Sequence, residues 1–218
     1  MSATSRRVQQ RAELKAMILD AARHVFIHDG YEQVSMRRLA EKIEYSPGTI
    51  YLHFRSKDEL LASLVEESFA KLRDALERAR REDAVETLRA GLHAYVDFGL
   101  RHPNHYHFAF MLRPRTARSN TYRPHGAFRF LREAVRCCVE CGRFRKVDVE
   151  TAAQTLWAAV HGVTSLLITR PQFPWVRRNE LVAEVIDNSI RGFLTDAKPE
   201  RGRRSRAVPR ARRANPTR

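Results

Sequence analysis

The sequence has few cysteines: three among 218 residues, at positions 137, 138 and 141. Cys138-x-x-Cys141 has the spacing of a redox or metal half-site, but no second pair exists to complete a four-thiolate metal site. Reduced, partly buried thiols are the plain reading, with a redox switch as the alternative. Long hydrophobic runs are also missing. The most apolar stretch, Leu156 to Ile168, holds 13 residues and includes His161, Thr164 and Ser165, too short and too polar for a membrane span. Met1 to Gln10 is polar and shows no apolar core of a secretory signal, so a cytoplasmic protein with no membrane partner is expected. No strand-like alternation, glycine-rich phosphate loop, nucleophile elbow, metal quartet or paired carboxylate pattern is visible, so the reading carries no enzyme activity, no cofactor and no metal site. His24 and His28 have a metal-competent spacing but no third ligand, and His102, His105 and His107 cluster around Pro103; both groups read as surface or core packing.

What the chain has in excess is positive charge. The formal net charge is +15. Residues 198–218 hold nine Lys/Arg against Glu200, a balance of +8, whereas residues 1–58 contribute ten basic and seven acidic side chains, +3, and residues 59–197 the remaining +4. More than half of the excess therefore lies in a tail rich in Arg, Pro and Ala. That tail has almost no large apolar residue with which to offset chain entropy and is expected to be disordered. It is either a solvated arm or a non-specific nucleic-acid contact.

Apolar residues recur at spacings of three and four almost throughout, the period of a helix. Leu14, Ile18, Ala21, Ala22, Val25 and Phe26 form one stripe, closed by Gly30 at a C-cap position. Met36, Leu39, Ala40 and Ile43 follow the N-cap candidate Ser35, and a long stripe runs from Leu60 to Ala79. Further helices are predicted over 84–101, 103–113, 122–141, 148–169 and 178–195, separated at Pro103, Pro114, Pro124, Gly142 and the Pro171/Pro174 pair. The predicted fold is all-α, about nine helices, with an N-terminal three-helix, homeodomain-like helix-turn-helix domain and a larger C-terminal helical domain. The expected division is 1–58, 59–196 and a basic tail over 197–218.

Residues 35–61, SMRRLAEKIEYSPGTIYLHFRSKDELL, carry the chemistry. The first helix is short and turns Leu39, Ala40 and Ile43 inward. The second begins at Ser46-Pro47, a capping hydroxyl followed by proline at the first helical position. Its only apolar pair is Ile50 and Phe54, so Gly48, Thr49, Tyr51, Leu52 and His53 are left outward, a surface suited to a major groove. Ser56-x-x-Glu59 forms a capping box for the next helix. Lys57, in its first turn, opposes the helix dipole unless a phosphate stands nearby, with a solvated surface lysine as the alternative.

These residues resemble the N-terminal DNA-binding domain of the tetracycline-repressor (TetR) family. The likeness runs over Phe26-x-x-x-Gly30-Tyr31, Ser35-Met36-Arg37-Arg38-Leu39-Ala40, Ser46-Pro47-Gly48-Thr49-Ile50-Tyr51-x-His53-Phe54 and Ser56-Lys57-x-Glu59-Leu60-Leu61. Glu44 departs from it, standing where many members have glycine, and implies a slightly different turn. The resemblance implies that Thr49 and His53 face the groove, that Tyr51 packs its ring and directs its hydroxyl to a phosphate, that Lys57 holds the DNA backbone, and that Arg37 reaches a base edge or a phosphate; Ser46 and Gly48 complete the DNA-binding candidates. Arg37 is the best candidate for reading guanine, since its fork matches O6 and N7. Ile50, Phe54, Leu39 and Ile43 would be core.

Over 148–169 the apolar face is broad: Val149, Ala152, Ala153, Leu156, Trp157, Ala159, Val160, Val163, Leu166 and Leu167. The last helix, with Leu181, Val182, Val185, Ile186, Ile190, Phe193 and Leu194, is similar. Both need cover on two sides, which a second copy would supply as a four-helix interface. A homodimer then presents two reading helices to double-stranded DNA, and a palindromic operator follows. Trp157-x-x-x-His161-Gly162 resembles a C-terminal subclass of the same family named for Trp-His-Gly. It reads either as packing, with the glycine allowing close helix approach, or as part of a pocket. Phe98, Tyr106, Phe108, Phe110 and Met111 are further candidates for that cavity, and their composition suits a small, mainly apolar or aromatic effector. Membership of such a family implies a repressor released from its operator by the effector, nucleoid-associated when bound. A low-specificity architectural DNA binder that uses the basic tail is the alternative.

Overall fold

The computed structural model describes residues 3–112 and 126–195; part of the predicted helix 122–141 and the tail from 196 lie outside them. Nine α-helices are present among the described residues: α1 Ala3–His28, α2 Met36–Lys42, α3 Pro47–Tyr51, α4 Lys57–Arg78, α5 Ala84–Arg101, α6 Pro103–Tyr106, α7 Gly126–Glu140, α8 Val149–Thr169 and α9 Arg178–Arg191. They form two compact units. The first takes residues 3–70 and 102–112, the second 71–101 and 126–195, and α4 contributes its early turns to one and its last turns to the other.

In the first unit α1, α2, α3 and the start of α4 surround a core of Ile18, Ala22, Phe26, Leu39, Ile50, Phe54, Leu60 and Leu64. Gly30 ends α1 with φ 78°, a left-handed conformation that glycine adopts without a steric penalty. Phe108 joins this core from a distant part of the chain, its ring 6.5 Å from Phe26. The predicted helix 103–113 is here broken into two windings. After Tyr106 the chain passes into a π-turn over His107–Met111, closed by the Leu112 amide donating to the His107 carbonyl at 2.9 Å. The same segment is held to α4 by His105, whose Nδ1 lies 3.0 Å from the buried Ser68 hydroxyl.

In the second unit α5, α7, α8 and α9 pack as a bundle. Asp83 caps α5, accepting from the Val85 and Glu86 amides, and also meets Arg143 at 2.9 Å. Asp148 caps α8 through the Thr151 amide and hydroxyl. Two expectations are corrected. First, within one chain no neighbour approaches Gly162 closely: a Cβ there meets nothing within 4 Å, whereas one at Gly91 would stand 2.6 Å from the Phe130 ring. Second, α9 stops at Arg191 and does not reach 195. Phe193 stacks on Phe144, and Leu194 forms an isolated antiparallel bridge with Phe144, so their backbone serves the loop after α7 and not another helical turn.

The cysteines remain free thiols. Burial pushes the Cys138 thiol well above its ordinary range and raises Cys137 as well, which is the opposite of thiolate activation.

Candidate nucleic-acid interface

Three serines set the helix starts of the reading head. The Ser35 hydroxyl accepts from the Arg38 amide at 3.1 Å, Ser46 from Thr49 at 3.2 Å and Ser56 from Glu59 at 3.1 Å. The Glu59 carboxylate reaches back one residue further than a standard capping box, to the Arg55 amide at 2.7 Å.

The turn between α2 and α3 keeps its left-handed residue although that residue is a glutamate. Glu44 has φ 59°, its amide donates to Glu41, and the Tyr45 amide donates to Ala40 at 3.0 Å. This is the Schellman pattern usually closed by glycine. The expected change of turn geometry is thus replaced by local strain, in a region disfavoured for side chains with a Cβ by roughly 1–2 kcal/mol.

Residues Ile50 and Phe54 are 0% and 1% exposed and anchor α3 to the core. The opposite side is open: Tyr51 is 52% and Leu52 73% exposed, and Ser46, Pro47 and Gly48 are exposed beside them. Thr49 is half-buried, its hydroxyl 2.9 Å from that of Ser46. His53 is half-buried and its pKa is lowered, first by burial and then by the positive charges of Arg11 and Lys15 on α1. Neutral imidazole at neutral pH can both donate and accept a hydrogen bond at a base edge. Arg37 is exposed and, among the described residues, is held by a surface ion pair to Glu41 at 3.2 Å, a weak contact that a nucleic-acid acceptor can replace.

Lys57 is more engaged than the sequence suggests. Its Nζ donates to the Tyr31 carbonyl at 2.8 Å, lies 3.5 Å from that of Glu32 and sits 4.3 Å from the centre of the Tyr31 ring. The Tyr31 hydroxyl donates to Asp58, and burial with that carboxylate raises the phenol's pKa. An ammonium has three protons, so one remains for an outer acceptor.

The candidate effector residues divide between the units. Tyr106, fully buried, and Phe110 lie in the first, with ring centres 4.9 Å apart and Phe69 5.4 Å from Phe110. Phe98, Trp157 and His161 lie in the second. There the Trp157 and His161 rings are 6.0 Å apart, Phe128 is 5.7 Å from Trp157, and both motif residues meet Tyr95. Tyr95 carries no signal in the sequence, because it precedes Trp157 by 62 residues and no local pattern links them. Among the described residues no group of three or more metal-ligating side chains is present, and no helix is long and apolar enough to cross a membrane.

Comparison with known proteins finds two family domains along the chain, and the second of them includes residues 102–112, which pack with the first unit. The profile of the bacterial regulatory proteins, tetR family, matches residues 18–64, and that of the tetracyclin repressor-like C-terminal domain matches residues 88–189. The HTH-type transcriptional repressor AcnR of Corynebacterium jeikeium is 32% identical over 170 residues, 73% of this chain and 84% of its own. Among solved structures, a protein of unknown function from Rhodococcus sp. RHA1 is similar with a TM-score of 0.71 at 26% identity, covering 84% of this chain and 96% of that one. The TetR family transcriptional regulator PfmR from Thermus thermophilus has a TM-score of 0.61 at 27% identity, covering 80% and 97%.

Proposed function

The chain belongs to the bacterial regulatory proteins of the tetR family, and on that premise we propose that it is a homodimeric, sequence-specific repressor that leaves a palindromic operator when a small effector binds. The observation that carries this reading is the outward side of α3. It is fixed from beneath by Ile50 and Phe54 and presents Tyr51 and Leu52 in the open, with Thr49 and His53 half-exposed beside them. Thr49 and His53 address base edges, the Leu52 side chain suits a thymine methyl group, and Tyr51 reaches a phosphate. Arg37 reads from the start of α2. Ser46 and Gly48 let the backbone approach closely, and Lys57 offers its remaining proton to the DNA backbone.

Two copies meet through α8 and α9 in this proposal. Support comes from the outward side of α8, where Thr151, Gln154, Thr155, Ala158, Leu166 and Thr169 are exposed and Gly162 and Ser165 half-exposed, at helical spacing, with Glu150, paired with Arg132, the one charge of the helix and at its edge. On α9, Val182, Ile186 and Ile190 are buried, while Leu181 and Val185 remain partly open. The effector is placed in the second unit beside Trp157, Tyr95 and His161, the feature that resembles the Trp-His-Gly subclass, and is mainly apolar or aromatic. Residues 1–58 would bind DNA, 59–196 would bind effector and partner, and the tail 197–218 would add non-specific charge, in a cytoplasmic protein bound to the nucleoid. The coupling required is only about 1–3 kcal/mol.

Selection of duplexes bound by the full chain from a random pool tests this reading. An enriched inverted repeat with half-sites about one helical turn or more apart is the expected result. A flat sequence profile would instead favour a low-specificity architectural binder. Trp157→Ala and His161→Ala should each abolish release by an effector found in a ligand screen, with helicity unchanged.

A further inference from the structure

Helix α1 begins well before the domain it belongs to. Ile18, Ala22, Val25 and Phe26 bury its later turns, yet every described side chain from Ser5 to Glu13 is exposed. An amphipathic helix that needed only to cover the core would begin near Leu14. The earlier turns therefore hold no core contact that explains them, and their residue types are informative. At about 100° per residue, Arg7, Arg11 and Lys15 fall within about 80° of one another, in the same sector as Ile18, Ala22 and Val25. The side of α1 that is apolar where it crosses the domain turns cationic where it runs past it.

That sector lies beside the reading head. Lys15 places its Nζ 5.6 Å from the centre of the Phe54 ring. Arg11 and Lys15 both act on the charge state of His53. The one acid in the exposed turns, Glu13, lies on the other side of the helix and accepts from Gln9 at 3.0 Å. Neither Arg7, Arg11 nor Lys15 has a carboxylate partner among the described residues. Three unneutralised cations in a row next to a groove-reading helix match a row of phosphates.

We propose that the face of α1 carrying Arg7, Arg11 and Lys15 is a second DNA-contacting surface, which follows the phosphate backbone flanking the site read by α3. The inference rests on the DNA-binding reading above and adds residues that it did not use. Arg7 to Lys15 spans about 12 Å of helix, over which a duplex presents about seven phosphate charges. The two guanidinium groups can each take a phosphate in bidentate fashion. Such contacts add affinity and salt dependence but no base preference.

Arg6 supplies an internal control. It adjoins Arg7, carries the same charge and is also exposed, but points about 140° away from the middle of the cationic sector. The full chain and the variants Arg6→Gln, Arg7→Gln and Arg11→Gln are titrated, at several salt concentrations, against two duplexes. One is enriched from a random pool and overhangs the selected site by a full turn on each side; the other has arbitrary sequence. Arg7→Gln and Arg11→Gln should each weaken binding to both duplexes, by about tenfold near physiological salt, and reduce the salt slope by about 0.9 for each phosphate no longer neutralised. Arg6→Gln should stay within about twofold of the parent. Trimming the overhangs should weaken the parent and leave the Arg7→Gln/Arg11→Gln double variant almost unaffected. Equal effects of Arg6→Gln and Arg7→Gln, or none from Arg7→Gln and Arg11→Gln, would overturn the proposal. Failure to enrich any sequence would overturn the repressor reading but not this one, because the arbitrary duplex still reports the phosphate contacts.

Discussion

The Tyr95 hydroxyl stands 3.0 Å from Nδ1 of His161 and accepts a hydrogen bond from the Trp157 indole at 3.2 Å. An indole can only donate, so the phenolic proton is available to an unprotonated imidazole nitrogen. Burial lowers the His161 pKa and favours that neutral state; His93 and His107 are shifted the same way by their own burial.

A pH dependence of stability follows. These histidines titrate below the ordinary value near 6.5 in the folded chain and near it in the unfolded chain. The unfolded state therefore binds more protons in this range. Stability is complete above about pH 6.5 and falls as pH drops through the folded-state values. Urea midpoints measured between neutral and mildly acidic pH should decrease steadily, and His161→Phe should make the decrease shallower. A midpoint that rises on acidification would contradict the burial argument.

The two glycines of the C-terminal bundle should behave differently. Gly91→Ala forces the Phe130 ring to move and should cost about 1–3 kcal/mol. Gly162→Ala meets open space within one chain and gains helix propensity. Thermal unfolding of dilute protein should show a lowered Tm for the first and no lowering for the second.

The outer side of α8, uncharged beyond Glu150 at its first turn, predicts an association defect separable from folding. Leu166 is 48% exposed, so a charge there is harmless to a single chain but is desolvated in an interface. Leu166→Glu should sediment as a helical monomer at micromolar concentrations where the parent is dimeric. A dimeric Leu166→Glu would place the interface elsewhere.

The left-handed glutamate predicts a stabilising change. Glu44→Gly relieves the strain at φ 59° and should raise stability by about 1 kcal/mol, read as a higher urea midpoint with an unchanged slope.

Much of this architecture was readable because its signals are local. Ser35, Ser46 and Ser56 mark helix starts with hydroxyls that do cap, and the Ile50/Phe54 pair alone fixes which side of α3 is buried. What escaped depends on partners far along the chain. Phe108 enters the N-terminal core from a π-turn that ordinary helical periodicity does not encode. Phe193 and Leu194 fit a helical stripe but serve Phe144. Gly162 looked like the close-packing glycine because it adjoins Trp157 and His161, whereas Gly91 takes that role only from the Phe130 ring across the bundle. The engagement of Lys57 with the Tyr31 carbonyl joins residues 26 apart and leaves no trace in either neighbourhood.

The most direct test of the central claim is a comparison of DNA preferences between the parent chain and Thr49→Ala and His53→Ala variants, each selected from the same random pool. Each substitution should relax the preference at one position of the enriched site, mirrored in its other half, while the remaining positions keep theirs. Unchanged preferences in both variants would mean that α3 does not read the bases.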